Sequence, residues 1–553
     1  MNIHSVIANK ISLAFSDAQS RGLLPEGNIP DGFLERPQKT GRGDFATTLP
    51  LKLARFMKMK PLDIAHILET SIDLKPELER IEIAEPGFIN LFLNQNWLLS
   101  QVEMILNHGN KFGESTFGQN KRVQVEYVSV NPTGPIHVGH ARGAVLGSAL
   151  SSILRCAGYL VTEEYYINDA GNQMDLFYQC LYVRYMQSLG FAKEIPENGY
   201  QGEYLVTLGE NISKEYGEKF SNLPEEEAVS AIGNIGLPLM IESIKSDLDR
   251  LGVEFDSWFS EKSLFENGHY KKTMEILKDN NYLLEREGAI WFESTRFGED
   301  KDNVLVRTNG TPTYFASDAA YHYYKFKIAE YEKVTNIWGA DHQGHVSRLK
   351  SVIAALGIDE AKLNVILSQM VTIRQSGDLV RASKRSGQLV TLTELLDDVG
   401  VDACRFFFLS RSPDSQMEFD LDLATKQSSD NPVYYVQYAH ARIVSILKRA
   451  HSEGIKFADG DVQKLSTSPE KLLIQNLLIL PELIETMASF MEPHHLPHYA
   501  MELANSFHHF YDNCRVVSDD DELTKARLKL VDSSRIVIAK ALELMGMSAP
   551  EEM

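Results

Sequence analysis

Residues 123–167 contain a strand, a loop, a helix and a second strand in direct succession. Residues 123–128 form a β-rich run, apolar residues within 145–154 recur at helical spacing, and 159–167 form another β-rich run. This order is the repeating unit of nucleotide-binding parallel sheets, where ligands bind beyond the carboxyl ends of the strands. The segment therefore predicts an α/β fold with a ligand site in the loop after its first strand.

Two histidines, His137 and His140, lie at the end of that loop. The positive end of the helix dipole, the backbone N–H groups of the loop and two imidazole donors favour a phosphate there, and Gly139 lets the backbone approach the ligand. For so short a motif, two solvated loop histidines are the alternative. The strand and helix around it favour the phosphate, and the lack of G-x-G-x-x-G and G-x-x-x-x-G-K-[ST] here disfavours dinucleotide and P-loop sites.

A basic, small-residue loop, VRASKRSG at 380–387, follows about 240 positions later. Lys384 is the cation that we expect to reach a phosphate from a mobile loop. The alternative is an ordinary exposed turn, which is the commoner role of basic loops when no phosphate-binding partner is present.

Together the two segments resemble the paired signatures of class I aminoacyl-tRNA synthetases, written HIGH and KMSKS. Here they read HVGH at 137–140 and RASKR at 381–385. Ser383 and Lys384 match, whereas arginine, alanine and arginine replace the lysine, the methionine and the last serine. A guanidinium differs from an ammonium in shape and hydration, so a contact between Arg381 and ATP stays open.

The flanking sequence is similar to the arginyl-tRNA synthetase family along nearly the whole chain. The order and span of the matching segments carry this resemblance, rather than any one of them. They are GDFAT at 43–47, NPTG at 131–134, INDAGNQ at 167–173, GADHQGH at 339–345, NPVYYVQYAHAR at 431–442 and MSAPEEM at 547–553.

A chain of 553 residues is expected to form about three domains. Residues 1–115 predict a small α+β domain, and 120–420 predict a Rossmann-like α/β nucleotide-binding catalytic domain with a helical insertion at about 186–258. Residues 421–553 predict an all-α helical bundle, because apolar residues repeat there at three and four. In the family, the first domain contacts the tRNA elbow and the last binds the anticodon.

The resemblance implies ATP-dependent ligation of L-arginine to its cognate tRNA(Arg) through arginyl-adenylate, with adenylate formation requiring bound tRNA. ATP would carry Mg²⁺, and no structural metal is expected. His137, His140 and Lys384 would be catalytic. The implied ATP-binding residues are Pro132, Gly134, His137, Gly139, His140, Gly339, Asp341, His342, Ser383 and Lys384.

Arginine as a substrate requires a carboxylate, because a buried guanidinium is costly unless it is paired. Tyr314 and Asp318 are four apart and would share a helix face. On spacing alone, the favoured roles are packing for Tyr314 and a favourable interaction with the helix dipole for Asp318. The resemblance instead assigns both side chains to binding the guanidinium of arginine. The other implied arginine-binding residues lie mostly at strand ends, although Asn and Asp also favour turns: Asn131, Asn168, Asp169, Gln173 and Gln343.

Arg42, Phe45, Tyr438 and Arg442 are the candidate tRNA contacts, together with Lys39; for those in the first domain, a charged structural loop is the alternative. The net charge of −21 argues against nonspecific nucleic-acid binding, which depends on a broad cationic surface. Local basic strips remain compatible with tRNA.

The sequence predicts a cytoplasmic protein without a membrane segment, and we expect the enzyme to be a monomer. No run approaches the ~20 apolar residues of a span, and the N-terminal residues lack the pattern of a signal peptide. Four cysteines without C-x-x-C spacing predict reduced, mostly buried thiols. Two other functions stay open: a small-molecule nucleotidyltransferase of the same fold, and a tRNA- or partner-binding relative without catalysis.

Overall fold

The computed structural model describes residues 2–37, 41–380 and 390–553. The basic segment, residues 381–389, lies outside the described residues together with its predicted site residues Ser383 and Lys384, and so does Lys39. The described residues form four sheets and twenty α-helices.

The N-terminal part is a small α+β unit, as predicted. Its four-stranded antiparallel sheet has the order β1-β2-β4-β3. Helix α1 follows from apolar residues at helical spacing, and the Asn2 side chain caps it by accepting from the Ser5 amide. The elements are α1 (Ile3–Ser20), β1 (Leu34–Glu35), β2 (Phe45–Thr47), α2 (Leu49–Met57), α3 (Pro61–Ser71), β3 (Leu78–Ala84), β4 (Phe88–Leu93) and α4 (Gln95–His108).

The GDFAT segment docks this unit onto the rest of the chain. The Asp44 carboxylate accepts from the Leu93 amide at 2.7 Å and from the Gln475 side chain at 2.6 Å. Gly43 has a φ of +84°, and a Cβ there would stand 2.7 Å from the Leu91 carbonyl oxygen, so only glycine fits. The motif therefore holds two domains together.

The central sheet is parallel, with the order β12-β11-β5-β6-β7, which confirms the predicted α/β class. The chain leaves β5 toward β6 on one side and later adds β11 on the other, so a switch point lies between β5 and β11. The elements are β5 (Arg122–Glu126), α5 (Val138–Cys156), β6 (Leu160–Ile167), α6 (Asn172–Ser188), β7 (Ser257–Ser260), β11 (Lys333–Gly339), α12 (Gln343–Ala355) and β12 (Leu363–Ser368).

The predicted insertion is helical, with α7 (Glu203–Tyr216) and α8 (Glu225–Arg250). A three-stranded antiparallel sheet and short helices separate β7 from β11. They are α9 (Glu261–Glu266), α10 (His269–Asp279), β8 (Leu283–Arg286), β9 (Ala289–Phe292), β10 (Asn303–Val306) and α11 (Tyr314–Tyr323).

The apolar, β-rich sequence of residues 364–373 predicts a single strand, and this prediction is wrong. The chain leaves the central sheet after β12 and enters a second sheet, because Gln369 bonds to the Pro413 carbonyl at 2.9 Å. That second sheet has the order β14-β13-β15. Its elements and the helices beside it are β13 (Val371–Gln375), β14 (Asp378–Val380), α13 (Leu392–Val399), α14 (Val401–Leu409), β15 (Met417–Asp420) and α15 (Leu421–Ala424).

The C-terminal part is the predicted helical bundle. The polar residues before Pro469 predict Ser468 as the cap of its second helix. Thr467 holds that position instead, because the Glu470 carboxylate reaches back to the Thr467 amide at 2.8 Å. The helices are α16 (Pro432–Ser452), α17 (Ser468–Leu477), α18 (Ile479–Phe490), α19 (His495–Asn513) and α20 (Asp521–Leu544).

One helical stretch of the described residues, Ser468–Phe490, is long and apolar enough to cross a membrane, with a mean hydropathy of 1.3 over its most apolar window. Half of that window is buried inside the protein. The stretch comprises α17 and α18, and its fully buried Glu470 pairs with Arg527 at 2.7 Å. Burial in the bundle accounts for the apolar composition. The four cysteines are buried and unpaired, as predicted.

Arg405, on α14, ties three distant parts of the chain together. Its guanidinium donates to the carbonyl oxygens of Met545 at 2.5 Å and Leu251 at 2.9 Å, and to the Ser148 hydroxyl at 2.7 Å.

We expect Arg405→Met to lower the free energy of unfolding by about 3 kcal/mol, because the buried acceptors lose their donor. Urea titration followed by circular dichroism measures this change. The control Arg449→Met removes an exposed pair with Glu453 and should lower the free energy of unfolding far less, because solvent screens an exposed ion pair; equal losses would contradict the assignment.

Candidate active site

The histidine loop, residues 127–137, joins β5 to α5 in a conformation that its sequence disfavours. Val128 and Ser129 have φ values of 65° and 42°, the left-handed region that β-branched residues rarely adopt. The Tyr165 hydroxyl donates to the Val130 carbonyl at 2.8 Å, and the Tyr166 amide donates to the Ser129 hydroxyl at 3.1 Å. Neighbouring strand β6 therefore holds this loop in place.

His137 and His140 lie together at the start of α5. Their rings stack with centroids 3.5 Å apart. His137 is the N-cap residue, and its Nδ1 accepts from the Gly139 amide at 3.2 Å. Because Nδ1 is an acceptor, the neutral ring carries its proton on Nε2 and can donate it to a ligand.

Both imidazoles are neutral near pH 7. Burial lowers the pKa of His137, and burial together with His137 lowers the pKa of His140 to about 3. Two amides that were predicted to face a ligand are already bonded, since Val138 donates to the Val390 carbonyl at 3.1 Å and Gly139 donates to His137. Attraction for a phosphate must therefore come from imidazole N–H donors and the helix dipole.

The chain returns from the basic segment directly beside the histidine loop. Leu392 donates its amide to the Ile136 carbonyl at 2.8 Å, and Thr391 forms a β-bridge with His137. The described chain resumes at Val390, six residues after Lys384. The histidine loop and the chain that follows the basic segment are therefore neighbours in the structure.

Asp318 lies on α11, one turn after Tyr314, which is the first residue of that helix and half exposed. Among the described residues, no side chain pairs with or donates to the Asp318 carboxylate. Burial, together with nearby Glu126 and Glu261, raises its pKa to about 7, although Arg348 and Lys325 act in the opposite direction. An unpaired carboxylate next to other acids is a site for a cation.

Glu261 is a candidate that the sequence analysis missed. It is 5% exposed, its Oε2 has no hydrogen-bond partner, and burial raises its pKa. It directly follows β7, which the sequence analysis had placed partly inside the insertion. Recognising SWFS at 257–260 as a strand would have placed Glu261 at the ligand-binding edge of the sheet.

A buried network supports the floor of this pocket. Lys325 is fully buried in a π-helical turn, Tyr324–Ile328, and donates to Glu126 at 2.6 Å and to Asn336 at 3.0 Å. Asn336 bonds to His322, whose other ring nitrogen lies 2.8 Å from the Asp318 carbonyl. Glu126 is thus paired directly with a buried cation, whereas Asp318 has no such partner among the residues that the structure describes.

The polar residues at the other strand ends have different surroundings. Asn131 donates to Gln173, which brings these two predicted residues together. The Asn168 Oδ1 is buried without a partner. Both oxygens of Asp169 are occupied, by the Ser260 hydroxyl at 2.6 Å and the Lys262 amide at 3.1 Å, so this carboxylate fixes the start of α9.

The residues predicted for the adenosine side follow β11, across the switch point from His137. Gly339, Asp341, His342 and Gln343 are exposed, and the Asp341 side chain is 83% accessible. Asp341 lies 3.7 Å from His342. On the histidine loop, Pro132 is buried and Gly134 contacts Tyr204 of the insertion. Among the described residues, no group of three His, Cys, Asp or Glu side chains could hold a metal ion.

The candidate tRNA contacts divide into exposed and buried residues. Arg42 is exposed, whereas Phe45 is fully buried and so offers no ring to a base. On the helical bundle, Arg442 donates to the Tyr438 hydroxyl at 2.7 Å, and its guanidinium lies 5.0 Å from the centre of the Tyr511 ring. A cationic aromatic patch on α16 and α19 is thus formed by Arg442, Tyr438 and Tyr511.

Three family models match the chain in order. They are "Arginyl tRNA synthetase N terminal domain" at residues 1–93, "tRNA synthetases class I (R), catalytic domain" at 101–406 and "DALR anticodon binding domain" at 436–553. The catalytic match alone covers more than half of the chain.

Relatives match over the full length. The chain is 51% identical to an arginine–tRNA ligase of Dehalococcoides mccartyi, across 100% of this chain and 99% of the relative. It is 48% identical to an arginine–tRNA ligase of Carboxydothermus hydrogenoformans, across 94% of each. The arginyl-tRNA synthetase structure of Thermus thermophilus shares the fold at 22% identity, with a TM-score of 0.80 and complete coverage of both chains. By these full-length matches, the chain belongs to the arginyl-tRNA synthetase family of class I.

Proposed function

We propose that this enzyme ligates L-arginine to tRNA(Arg) in two steps at the strand-end cleft. An arginine carboxylate oxygen attacks the α-phosphate of ATP, the α–β phosphoanhydride bond breaks, and pyrophosphate leaves. The 3′-terminal hydroxyl of tRNA then attacks the arginyl carbonyl carbon, and AMP leaves. The observation that carries the proposal is the unpaired Asp318 carboxylate at the same sheet edge as the neutral His137–His140 pair.

The phosphate end would be bound mainly by hydrogen-bond donors. His137 and His140 donate without bringing a charge, so Lys384 from the basic segment supplies the cation as negative charge builds on the leaving pyrophosphate. Mg²⁺ arrives with ATP as part of the substrate. The backbone around the ATP would be shaped by Pro132, Gly134 and Gly139. The predicted adenosine side is Gly339, Asp341 and His342.

The guanidinium would lie between acids at the other end. Asp318 and Tyr314 bind it, and Glu261 is the second carboxylate, since its free oxygen is buried nearby. Asn131, Asn168, Gln173 and Gln343 remain for the ammonium and carboxylate of arginine. Asp169 is too fully bonded for direct contact, so we assign it to positioning α9.

tRNA would bind across all three domains, with Arg42 near the elbow and Tyr438 and Arg442 at the anticodon. Phe45 supports the first domain from within its core. We propose that bound tRNA is required for adenylate formation, and that the enzyme acts as a cytoplasmic monomer without membrane contact. The domain limits near residues 115, 120 and 420 stay predictions.

The reaction is tested by ATP–pyrophosphate exchange, with and without tRNA(Arg), and with arginine compared with lysine and citrulline. We expect exchange with arginine but not with lysine or citrulline, and only when tRNA(Arg) is present. Exchange that is indifferent to tRNA would favour a small-molecule nucleotidyltransferase, and no exchange under any condition would indicate a binding protein.

His140→Ala should lower the exchange rate about 100-fold, because a donor to the transition-state phosphate is lost. tRNA affinity, measured by filter binding, should stay within twofold. His66→Ala, an exposed histidine of the first domain, is the matched control and should leave both unchanged. Parallel loss of exchange and tRNA binding in H140A would show misfolding rather than lost chemistry.

Asp318→Asn keeps the shape of the side chain and removes its charge. We expect the KM for arginine to rise roughly 10- to 100-fold, because a charge-assisted bond to the guanidinium is lost, while the KM for ATP stays similar. Asp249→Asn, on an exposed face of α8, serves as the control. An unchanged KM for arginine in D318N would move the guanidinium site elsewhere.

Arginine binding should also weaken in mild acid. The pKa of Asp318 is raised to about 7, so its charged form, which pairs with the guanidinium, predominates above pH 7 and is lost as the pH falls. The KM for arginine should therefore rise toward ~10-fold per pH unit below that pKa. Steady-state kinetics between pH 6 and 8.5 measure this slope. D318N should abolish it; an equally steep slope in D318N would assign the titration to another group.

A further inference from the structure

We propose that a strip of cations around one aromatic ring, on the exposed face of helix α2 and in the link from α2 to α3, binds tRNA. This α2 strip consists of Lys52, Arg55, Phe56, Lys58 and Lys60. The inference rests on the proposed function, because that function supplies the RNA partner. It names a surface of the first domain to which the sequence analysis assigned no role.

Helix α2 is amphipathic, and its exposed face carries the strip. Leu49, Leu53 and Met57 are buried in the first domain. Positions 52, 55 and 56 are three and four apart, so they share another face of the helix. All three are exposed, and so are positions 58 and 60 in the link to α3. The fold therefore places the four cations and the ring together on the outside of the domain.

No carboxylate pairs with a cation of the strip among the residues that the structure describes. Lys52 donates to the carbonyl oxygens of Asp31 at 2.7 Å and Gly32 at 2.8 Å. The other three cations form no ion pair with the described part of the chain. The nearest acid in sequence, Asp63, lies three residues past Lys60 on the first turn of α3, where it interacts favourably with the helix dipole. The positive charge of the strip is therefore available to a ligand.

Most other cations of the first domain are paired. The pairs are Lys10 with Asp73 and Glu77, Arg21 with Asp17, Arg36 with Glu482, and Arg80 with Glu82. In a chain of net charge −21, four cations within nine residues and no acid among them stand apart. A local cationic surface of this kind attracts a polyanion, while the acidic remainder of the protein repels one elsewhere.

Phe56 adds a contact that suits an RNA base. Its side chain is 66% exposed. The ring edge packs on the loop before β1, since a Cβ on Gly27 would stand 2.6 Å from the Phe56 Cε1 atom. This packing holds the ring in place and leaves the rest of it open to solvent. Unpaired bases of RNA loops stack on such rings, whereas the bases of a duplex are already stacked. Cations beside a ring thus match the phosphates and an unstacked base of a tRNA loop.

The charge of the strip is tested with the full-length double variant R55Q/K58Q. Loss of two phosphate contacts should weaken tRNA(Arg) binding about tenfold and lower the slope of log Kd against log salt by about 2. Filter binding between about 50 and 200 mM salt measures both quantities. An unchanged affinity in R55Q/K58Q would overturn the proposal.

The matched control is the double variant R21Q/K75Q. It changes the net charge by the same amount, at exposed positions of the same domain outside the strip. Its affinity for tRNA(Arg) should stay within twofold of the unaltered enzyme, with an unchanged salt slope. Equal effects in the two double variants would also overturn the proposal, because net charge alone would then account for them.

Phe56→Leu tests the ring. It keeps an exposed apolar side chain and removes the aromatic face, so tRNA(Arg) affinity should fall about fivefold while the salt slope stays the same, because stacking involves no counterion release. Phe490→Leu, at the 70% exposed ring that ends α18, is the matched control and should stay within twofold. A loss below twofold in F56L, or an equal loss in F490L, would overturn the assignment of Phe56 to a base.

Chemistry should be intact in the strip variants, because the strip lies on α2 and its link, whereas His140 and Asp318 lie on α5 and α11. At saturating tRNA(Arg), kcat for ATP–pyrophosphate exchange in R55Q/K58Q and in F56L should stay within twofold of the unaltered enzyme. A lower kcat under that condition would contradict a role confined to RNA binding. Failure of the proposed function would differ, since the unaltered enzyme would then show no exchange with arginine, whatever the variants do to tRNA binding.

Discussion

The site depends on a loop whose own residues disfavour its shape. Val128 and Ser129 are held in the left-handed region at a cost of about 1–3 kcal/mol each, which persists only where the surroundings fix the backbone. Hydrogen bonds from strand β6, from the insertion and from the chain after the basic segment all end on the histidine loop. His137 and His140 therefore reach their stacked geometry only when three distant parts of the chain have folded. Local sequence supplies the imidazoles, and tertiary structure supplies their position.

Charge in the cleft is divided between two ends. At one end, burial keeps the imidazoles neutral, so they offer donors to a phosphate without attracting carboxylates of the protein. At the other end, Lys325 pairs with Glu126, whereas no side chain in the described part of the chain pairs with Asp318. Desolvation of that unpaired carboxylate destabilises the empty site, and a bound guanidinium would offset the effect. Under the proposed function, specificity for a cationic amino acid and the raised pKa of Asp318 thus have one physical cause.

Periodicity was sufficient for the fold but not for the residues that complete the site. The β-α-β unit and the helical bundle followed from spacings of two and of three to four, which are local properties. The break between β12 and β13 was missed because no glycine or proline marks it, and its cause is a bond from Gln369 to a residue 44 positions away. Glu261 could have been found only by recognising the strand before it, and Lys325 lacked a local signal, since its importance arises from a distant acid. Phe45 was a candidate tRNA contact because it lies in the first domain, which contacts the tRNA elbow in the resembling family, yet its strand turns it into the core. Lys384 stays a prediction.

Arg142 shows how the first signature carries charge as well as donors. Two residues after His140, its buried guanidinium donates to carbonyl oxygens of Gln369 at 3.1 Å, Ser412 at 2.8 Å and Ser415 at 2.9 Å. Burial lowers its pKa only to about 10, so it remains a cation near pH 7. It donates to carbonyls rather than to a carboxylate, although Asp414 lies close enough to raise its pKa, and its positive charge adds to the dipole of α5. The same contacts fix α5 against the chain entering β13. One residue thus links the electrostatics of the phosphate end to the placement of the strands that lead to the basic segment.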